Sequence, residues 1–191
     1  MRVIAGRFRG IPLIAPEGER TRPITDRVKE SLFNILGSRF GTLAELPDFD
    51  VLDLFAGTGS LGIEALSRGC RSCMFVERDR KAITALRTNV GKLKMGDLAR
   101  VAVDNVWSMR LPDVRYGLMF LDPPYVDATD ELKVIDLLAR LAPNLADDGL
   151  IVFRYGGYAS GQARIPETLT IADERQFGTM HICLLARKIS E

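Results

Sequence analysis

The stretch that most constrains the fold is residues 51–62, where an apolar run, a glycine loop and a helical pattern follow one another. The opening run is apolar except for Asp53, which is typical of a buried parallel strand. Gly57 and Gly59 allow the chain to turn sharply and to approach a ligand closely, because they carry no Cβ. From Ser60 onward the apolar residues recur at helical spacing. This order predicts a ligand cradle at the carboxyl edge of a sheet.

Strand-like and helical patterns alternate through the chain that follows. The sequence predicts strands at 50–54, 72–77, 100–103, 117–121 and 149–154, with helices between them at 60–68, 79–94 and 129–142. Such alternation implies a parallel sheet with helices on both faces. Two later strands, at 167–173 and 179–187, are joined so briefly that they must be antiparallel. The predicted fold class is therefore α/β: a Rossmann-like, mostly parallel sheet that ends in an antiparallel pair.

The first 40 residues differ in character from the rest. They predict a β-hairpin at 2–14, an extended loop at 15–24 and a helix from about 25 to 39, capped by Thr25 or Asp26 and packed on the main domain. This segment holds eight Lys or Arg against four Asp or Glu, and the remainder holds 18 against 21. We expect a basic extension over residues 1–40 and a main domain over 41–191. A basic arm suggests a polyanionic partner, although an ordinary solvated surface explains the charge equally well.

The length of 191 residues fits one globular domain, with at most a small appendage. No apolar run is long enough to cross a bilayer, and the N-terminal apolar stretch is too short for a signal peptide, so a cytoplasmic location is expected. Cys70 and Cys73 form a C-x-x-C, but the further ligands of a zinc site, Cys183 and His181, lie far along the chain. We interpret the pair as buried structural thiols and expect no metal, with a redox pair as the alternative.

The glycine loop alone is ambiguous. Gly57, Gly59 and Gly62 satisfy G-x-G-x-x-G, and Glu77 lies 20 residues past Gly57, which is also the spacing of a dinucleotide site. The tetrapeptide Asp122-Pro123-Pro124-Tyr125, directly after a strand-like run, decides between the readings. Hydride transfer has no evident use for it, whereas methylation of an amino group on a planar ring does.

The chemistry of such a methylation explains the tetrapeptide. An amino group on a nucleobase is a poor nucleophile because its lone pair is delocalised into the ring. Asp122 and the carbonyl of Pro123 can each accept one N–H and so turn the lone pair toward the methyl group. Pro123 and Pro124 fix φ and remove competing amide donors. Tyr125 offers a face on which a base can stack, worth about 1–3 kcal/mol. If Pro-Pro merely ended a strand, the flanking Asp and Tyr would be unexplained.

Several polar residues at predicted strand ends suit the donor of the methyl group. A buried carboxylate such as Asp53 is costly unless it meets hydrogen-bond donors or a cation, and S-adenosylmethionine supplies an ammonium and a sulfonium. Backbone amides of the loop are an alternative partner, and both roles can hold together. Glu77 can accept bonds from two ribose hydroxyls, unless it simply faces solvent. Asp104 can accept from an adenine amino group and the amides of Asn105 and Val106 can meet ring nitrogens, although Asp-Asn is also ordinary turn chemistry.

These motifs carry a family likeness. The chain resembles class I S-adenosylmethionine-dependent methyltransferases that modify amino groups and, over essentially its whole length, the RsmD-type 16S ribosomal RNA guanine-N2 methyltransferases. The matching stretches are residues 2–10 (RVIAGRFRG), 22–34 (RPITDRVKESLFN), 53–59 (DLFAGTG), 75–77 (FVE), 122–125 (DPPY) and 177–179 (FGT). Ile24 stands where that family usually has Thr, and Arg154-Tyr155 replaces a more usual acidic residue after the fifth strand.

The resemblance implies a seven-stranded sheet preceded by a small hairpin and helix. It implies transfer of a methyl group from S-adenosylmethionine to N2 of a guanine in 16S rRNA. We expect the rRNA substrate to lie within a small-subunit particle and the protein to be a monomer. It adds Phe55 and Arg78 to the donor-binding set. The residues expected to face the RNA are Arg7, Arg9, Arg20, Arg22, Thr25 and Arg27, of which the last three are also candidates to close over the donor.

Three other functions stay open at this point. A DNA adenine-N6 or cytosine-N4 methyltransferase shares the Asp-Pro-Pro-Tyr chemistry, but 191 residues leave no room for a large domain that reads duplex sequence. The short basic arm is better suited to a structured RNA recognised by its shape. A nicotinamide-dependent oxidoreductase would use the glycine loop alone. A non-enzymatic RNA-binding assembly factor would need the arm but not Asp122.

Overall fold

The structure, a computed structural model, describes residues 1–16, 24–124, 130–156 and 164–188. Seven strands form one sheet: β1 (Asp50–Leu54), β2 (Ser72–Glu77), β3 (Ala99–Val103), β4 (Tyr116–Leu121), β5 (Leu145–Gly156), β6 (Leu169–Phe177) and β7 (Met180–Arg187). The α-helices are α1 (Asp26–Arg39), α2 (Ser60–Ser67), α3 (Arg80–Lys92) and α4 (Glu131–Leu141), and a 3-10 turn at Ala142–Asn144 leads into β5.

The strand order is β3-β2-β1-β4-β5-β7-β6. The first five strands in this order are parallel, and β7 runs antiparallel to both of its neighbours. This confirms the predicted mostly parallel sheet with a terminal antiparallel pair. The chain moves outward from β1 to β3 and then returns to place β4 on the other side of β1. A crevice forms at such a switch point, outside the carboxyl ends of β1 and β4, where ligands of open α/β sheets bind.

Two strands are longer than their sequence patterns indicate. β5 begins at Leu145 rather than 149, because Leu145 pairs with Tyr116 ahead of a shift in register. β6 continues to Phe177, opposite Met180, so only Gly178 and Thr179 join it to β7. Alternation of apolar and polar residues marks only the half-buried centre of such strands, whereas backbone pairing extends them into polar ends.

Helices cover both faces of the sheet, as predicted. On one face, α1, α2 and α3 pack over residues such as Phe120 and Val152. On the other face, α4 packs over the alternate residues, among them Met119 and Phe153. The ring of Phe33 in α1 lies 5.9 Å from that of Phe120. The predicted packing of α1 on the main domain is therefore confirmed.

The N-terminal hairpin forms with little regular strand structure. Its two sides are joined by an isolated bridge between Arg2 and Pro12 and by backbone bonds from the Val3 amide to the Ile11 carbonyl and from the Leu13 amide to the Met1 carbonyl, at 3.0 and 3.2 Å. Between these bonds the chain also binds α2: the amides of Ile4 and Ala5 donate to the Glu64 carboxylate at 2.7 and 2.9 Å. Its apolar side chains share the core beneath α1. The division into units at residue 40 remains a prediction.

The three cysteines are free and buried. Burial raises the pKa of the Cys70 thiol to about 12 and that of Cys73 well above its usual value. Thiols in this state are poor nucleophiles and poor redox partners, which favours their structural interpretation. Within the described parts of the chain, no helix combines the length and the apolar character that crossing a membrane requires.

Candidate active site

The glycine loop between β1 and α2 has an unusual backbone. Phe55, Gly57 and Gly59 all have positive φ, of 57°, 55° and 78°. For Phe55 this left-handed conformation costs on the order of 1–3 kcal/mol, and such strain concentrates at functional sites. A Cβ built on Gly57 would meet only the carbonyl oxygen of Phe55, at 4.0 Å. The loop therefore offers open space beside its backbone at Gly57.

The other two glycines of the motif pack against the core. A Cβ on Gly59 would lie 2.3 Å from Cδ1 of Leu86, and one on Gly62 would lie 2.4 Å from Cε1 of Phe75. These positions set how closely α2 approaches the sheet and α3. Of the three glycines in the motif, Gly57 is thus the one with open space for a ligand.

Asp53, on β1, is 2% exposed, and its Oδ2 accepts a 2.9 Å hydrogen bond from the backbone N–H of Gly62. Gly59, the N-cap of α2, has no side chain to satisfy that amide, so Asp53 acts in its place. Burial raises the pKa of Asp53 well above its usual value; the Gly62 bond opposes this rise, and the nearby charges of Asp122 and Glu77 add to it. A cationic ligand beside this carboxylate would stabilise its charged form.

Glu77 stabilises the glycine loop through hydrogen bonds to backbone amides. Its Oε2 accepts a 2.9 Å bond from the Gly57 amide, and its Oε1 accepts bonds from the amides of Arg78 and Asp79 at 2.8 and 2.9 Å. The alternative of an acid that merely faces solvent is therefore wrong. Asp79 in turn caps α3 by accepting from the Lys81 and Ala82 amides. A contact between Glu77 and ribose hydroxyls, like a role for the exposed Arg78, stays a prediction.

In the loop after β3, Asp104 makes the local turn hydrogen bonds that the sequence offered as the alternative to adenine binding. Its Oδ1 accepts from the Asn105 amide at 2.7 Å, and Asn105 Oδ1 accepts from the Trp107 amide at 3.3 Å. Asp104 is exposed, whereas Val106 is buried. These bonds shape the loop and leave the predicted contacts with adenine untested.

Trp107 is a candidate site residue that sequence reasoning missed. Its ring lies 5.0 Å from that of Phe55, so the two side chains link the loops that follow β1 and β3. Lys133 Nζ lies 4.2 Å from the centre of the Trp107 ring. The available signal was the presence of the sequence's single Trp three residues after Asp104.

The Asp122-Pro-Pro motif leaves β4 directly beside the glycine loop. β1 and β4 are neighbours, with Leu54 opposite Leu121, so the two loops begin at adjacent strand ends about 4.8 Å apart. Asp122 is 23% exposed, and its Oδ1 accepts a 2.5 Å bond from Nε of Arg154, on β5. Burial raises the pKa of Asp122, and the Arg154 guanidinium opposes this rise. Tyr125 lies outside the described residues. The sequence marked Arg154 only as a departure from a family pattern.

The residues predicted to face RNA are split between two places. Thr25 caps α1 by accepting from the Val28 amide, and the exposed Arg27 follows in the first turn. This end of α1 is near the glycine loop, because Lys29 Nζ donates to Oγ of Ser60, the first residue of α2.

Arg7 and Arg9 are exposed on the hairpin at the opposite end of α2. The amide of Arg7 donates to the carbonyl of Ser67, the last residue of that helix, roughly 12 Å from its start. Arg20 and Arg22 lie outside the described residues. Among the residues that the structure describes, no group of three or more His, Cys, Asp or Glu could hold a metal ion.

Comparison with known proteins places the chain in a family. The family model described as conserved hypothetical protein 95 matches residues 1–186. The chain belongs to this family, the RsmD family. The RsmD-family chain is 34% identical over 189 residues to Ribosomal RNA small subunit methyltransferase D of Escherichia coli (strain K12), covering 98% of this chain and 90% of the relative. It is 40% identical over 176 residues to YlbH of Bacillus subtilis (strain 168), described as a candidate rRNA methyltransferase, with 88% of each chain covered.

Solved structures agree with this placement. A candidate methyltransferase from Escherichia coli, yhhF, superimposes on the RsmD-family chain with a TM-score of 0.81 at 34% identity, covering 98% of each chain. A candidate methylase from Haemophilus influenzae, HI0767, does so with a TM-score of 0.73 at 30% identity, also covering 98% of each. The resemblance inferred from the motifs is confirmed, and the fold is that of class I methyltransferases.

Proposed function

We propose that this chain transfers a methyl group from S-adenosylmethionine to the exocyclic N2 amine of a guanine in 16S ribosomal RNA. The observation that carries the proposal is the position of Asp122-Pro-Pro at a strand end adjacent to the glycine loop. That arrangement puts acceptors for an amino group next to a cradle for a methyl donor. The names of the Escherichia coli and Bacillus subtilis relatives support ribosomal RNA as the substrate.

The residues around the glycine loop fit S-adenosylmethionine. The open side of Gly57 leaves room for a ligand against the backbone. The buried Asp53 carboxylate suits a positive charge, and Glu77 ends β2 beside the loop with oxygens that suit ribose hydroxyls. Asp104 and the Phe55–Trp107 pair would lie along the nucleoside. When bound, the donor supplies an electrophilic methyl group on a sulfonium.

The chain's part in the reaction is to hold and orient the amino group. The Asp122 carboxylate accepts one N–H and the carbonyl of Pro123 accepts the other, so the nitrogen lone pair faces the donor side of the crevice. Pro123 is buried and Pro124 is exposed; neither has an amide N–H that would compete for the acceptors. Tyr125 would stack on the base. Positioning of this kind can supply much of the rate of a displacement reaction.

The basic residues suit the rest of the RNA. Arg27 lines an open groove between α1 and β6 together with Arg39 and Arg175, near the crevice. Arg7 and Arg9 extend the positive surface to the far end of α2, where they would reach more distant phosphates. Both contacts would bind the backbone without reading sequence.

The test is mass spectrometry of 16S rRNA nucleosides from cells that lack the protein, complemented with the wild-type chain or with Asp122→Ala. The wild type should restore N2-methylguanosine and Asp122→Ala should not. Purified Asp122→Ala should still be stabilised thermally by S-adenosylmethionine, and not by NAD, which shows that its donor site is intact. Transfer to duplex DNA but not to small-subunit particles would overturn the proposal in favour of DNA methylation. Stabilisation by NAD alone would favour an oxidoreductase.

A further inference from the structure

Arg154 is held next to Asp122 by the register of the sheet. β4 and β5 are parallel with Leu121 opposite Phe153, so Asp122 and Arg154 form the next pair along the two strands. Arg154 is also paired on its other side with Ile182 of β7, a strand inside the sheet. Its backbone is therefore held by pairing with β7 and follows directly after the last β4–β5 pair, and the guanidinium reaches Asp122 from there.

The contact is short and largely buried. Arg154 Nε lies 2.5 Å from Asp122 Oδ1, and the two side chains are 15% and 23% exposed. A second arginine–aspartate contact involves the other end of β5, where Arg187 of β7 lies 2.9 Å from Asp147 of β5 and the exposed fractions are 37% and 92%. A charged pair that is mostly shielded from water interacts more strongly than one at the surface, where screening leaves little net effect.

Both oxygens of the Asp122 carboxyl group are acceptors for an amino N–H only when the group is ionised. Its surroundings oppose that charge, because Asp122 is largely buried and this raises the pKa of its carboxyl group. A protonated Asp122 would be a donor on one oxygen and would compete with the amine. Among the described residues, the Arg154 guanidinium counters this rise in the pKa of Asp122. Because it binds Oδ1, it also fixes the rotation of the carboxylate.

We infer that Arg154 is a positioning residue for Asp122: its guanidinium holds Oδ1 so that Oδ2 is the oxygen presented to the substrate amino group. The part of this inference that concerns the substrate rests on the proposed function. The contact between the two side chains does not.

The kinetic test compares Arg154→Gln with Arg154→Lys and with Arg187→Gln, a control that removes an arginine paired with an aspartate at the other end of β5. Methyl transfer to small-subunit particles is measured from pH 5.5 to 9. Arg154→Gln should lower kcat while the KM for the donor stays unchanged within about twofold. The loss of kcat should be about tenfold greater at pH 6 than at pH 8.5, because a carboxylate that loses its neighbouring cation ionises at higher pH. Arg154→Lys should keep the wild-type pH profile at a lower kcat, since an ammonium is a single point donor. Arg187→Gln should match the wild type.

A second readout needs neither donor nor RNA. The Asp122 carboxyl is titrated by carbon NMR in protein labelled at aspartate Cγ, with Asp122→Asn to assign the signal. Its midpoint should be higher in Arg154→Gln than in the wild type, and unchanged in Arg187→Gln. An unchanged midpoint, or a loss of kcat that is equal at every pH, overturns the inference.

The outcomes separate the inference from the proposed function. If the wild type methylates no RNA while the NMR midpoint shifts as expected, the proposed function fails and the contact with Asp122 stands. If the wild type is active and the Arg154→Gln profile is parallel to it, the inference fails alone. Should Arg154→Gln not fold, Arg154→Lys decides: a kcat equal to that of the wild type would exclude a role for the planar guanidinium.

Discussion

The Lys29 ammonium lies 3.3 Å from Glu64 Oε2, and both side chains are fully excluded from solvent. Glu64 also accepts a 2.9 Å bond from Nε of Arg68, while Lys29 donates to the carbonyl of Arg2 at 2.6 Å and to Ser60 Oγ at 3.1 Å. The network joins the N-terminal segment, α1 and α2 at the residue that follows the glycine loop. The geometry of the candidate donor site therefore depends on residues 1–40 as well as on the sheet.

Replacing Lys29 with Met should destabilise the protein by about 3–5 kcal/mol, because the buried Glu64 then keeps Arg68 as its cationic partner but loses the ammonium, and the Arg2 carbonyl and Ser60 lose a donor. Urea unfolding at pH 7.5 measures the change. Arg71→Met is the control: Arg71 pairs with Asp50 at 2.8 Å but is 55% exposed, so that loss should stay within about 1 kcal/mol. Similar losses in the two variants would contradict the role given to the buried network.

Asp53→Asn should raise stability in a pH-dependent way. The folded-state pKa of Asp53 is raised, chiefly by burial, so between its unfolded and folded values the native chain binds more protons than the unfolded chain, and stability falls as pH rises through that window. Asn keeps an oxygen for the Gly62 amide and carries no charge. The variant should exceed the wild type in unfolding free energy at pH 8, on the order of 1 kcal/mol, with the difference vanishing toward pH 4. A difference that does not vary with pH would count against a charged, poorly solvated Asp53.

The same Asp53→Asn substitution should weaken donor binding. If the carboxylate stabilises a positive charge on S-adenosylmethionine, its loss should raise the dissociation constant at least about tenfold, the scale of one hydrogen bond to a charged group. Trp107, the single Trp of the chain, lies beside Phe55 and provides an intrinsic fluorescence signal for the titration. Unchanged affinity would limit Asp53 to its role as a cap for α2.

The sequence predicted the sheet, its antiparallel end and the two loops of the site because each depends on local patterns: apolar runs, glycines, and an Asp before two prolines. Arg154 was not predicted as a site residue because its contact with Asp122 depends on the register of β4 and β5. The distance of Arg7 from the crevice could not be predicted from the sequence either. Its backbone is bound at Ser67, so its distance from the crevice follows from packing on α2 rather than from sequence separation.

Two glycine substitutions should separate ligand binding from packing. Gly62→Ala would place a Cβ 2.4 Å from Phe75 Cε1 and should cost about 1–3 kcal/mol of stability with little effect on donor affinity. Gly57→Ala meets no neighbour closer than 4.0 Å but must adopt a φ of 55°, so it should cost roughly 1–2 kcal/mol and weaken donor binding strongly. Urea unfolding and Trp107 fluorescence measure the two effects. Normal donor affinity in Gly57→Ala would mean that the donor does not approach this position.

The double variant Arg7→Gln/Arg9→Gln should weaken RNA binding and reduce the slope of log affinity against log salt by about 1–2, because each phosphate contact releases condensed counterions. Donor affinity should not change, since both residues lie at the end of α2 away from the glycine loop. Arg187→Gln/Lys188→Gln, at the end of β7 on the opposite edge of the sheet from the crevice, removes the same charge from a surface with no expected RNA contact. Equal slopes for the two double variants would show that net charge, and not the hairpin, accounts for RNA binding. An unaltered slope in the hairpin variant alone would leave the groove lined by Arg27 and Arg175 as the RNA surface.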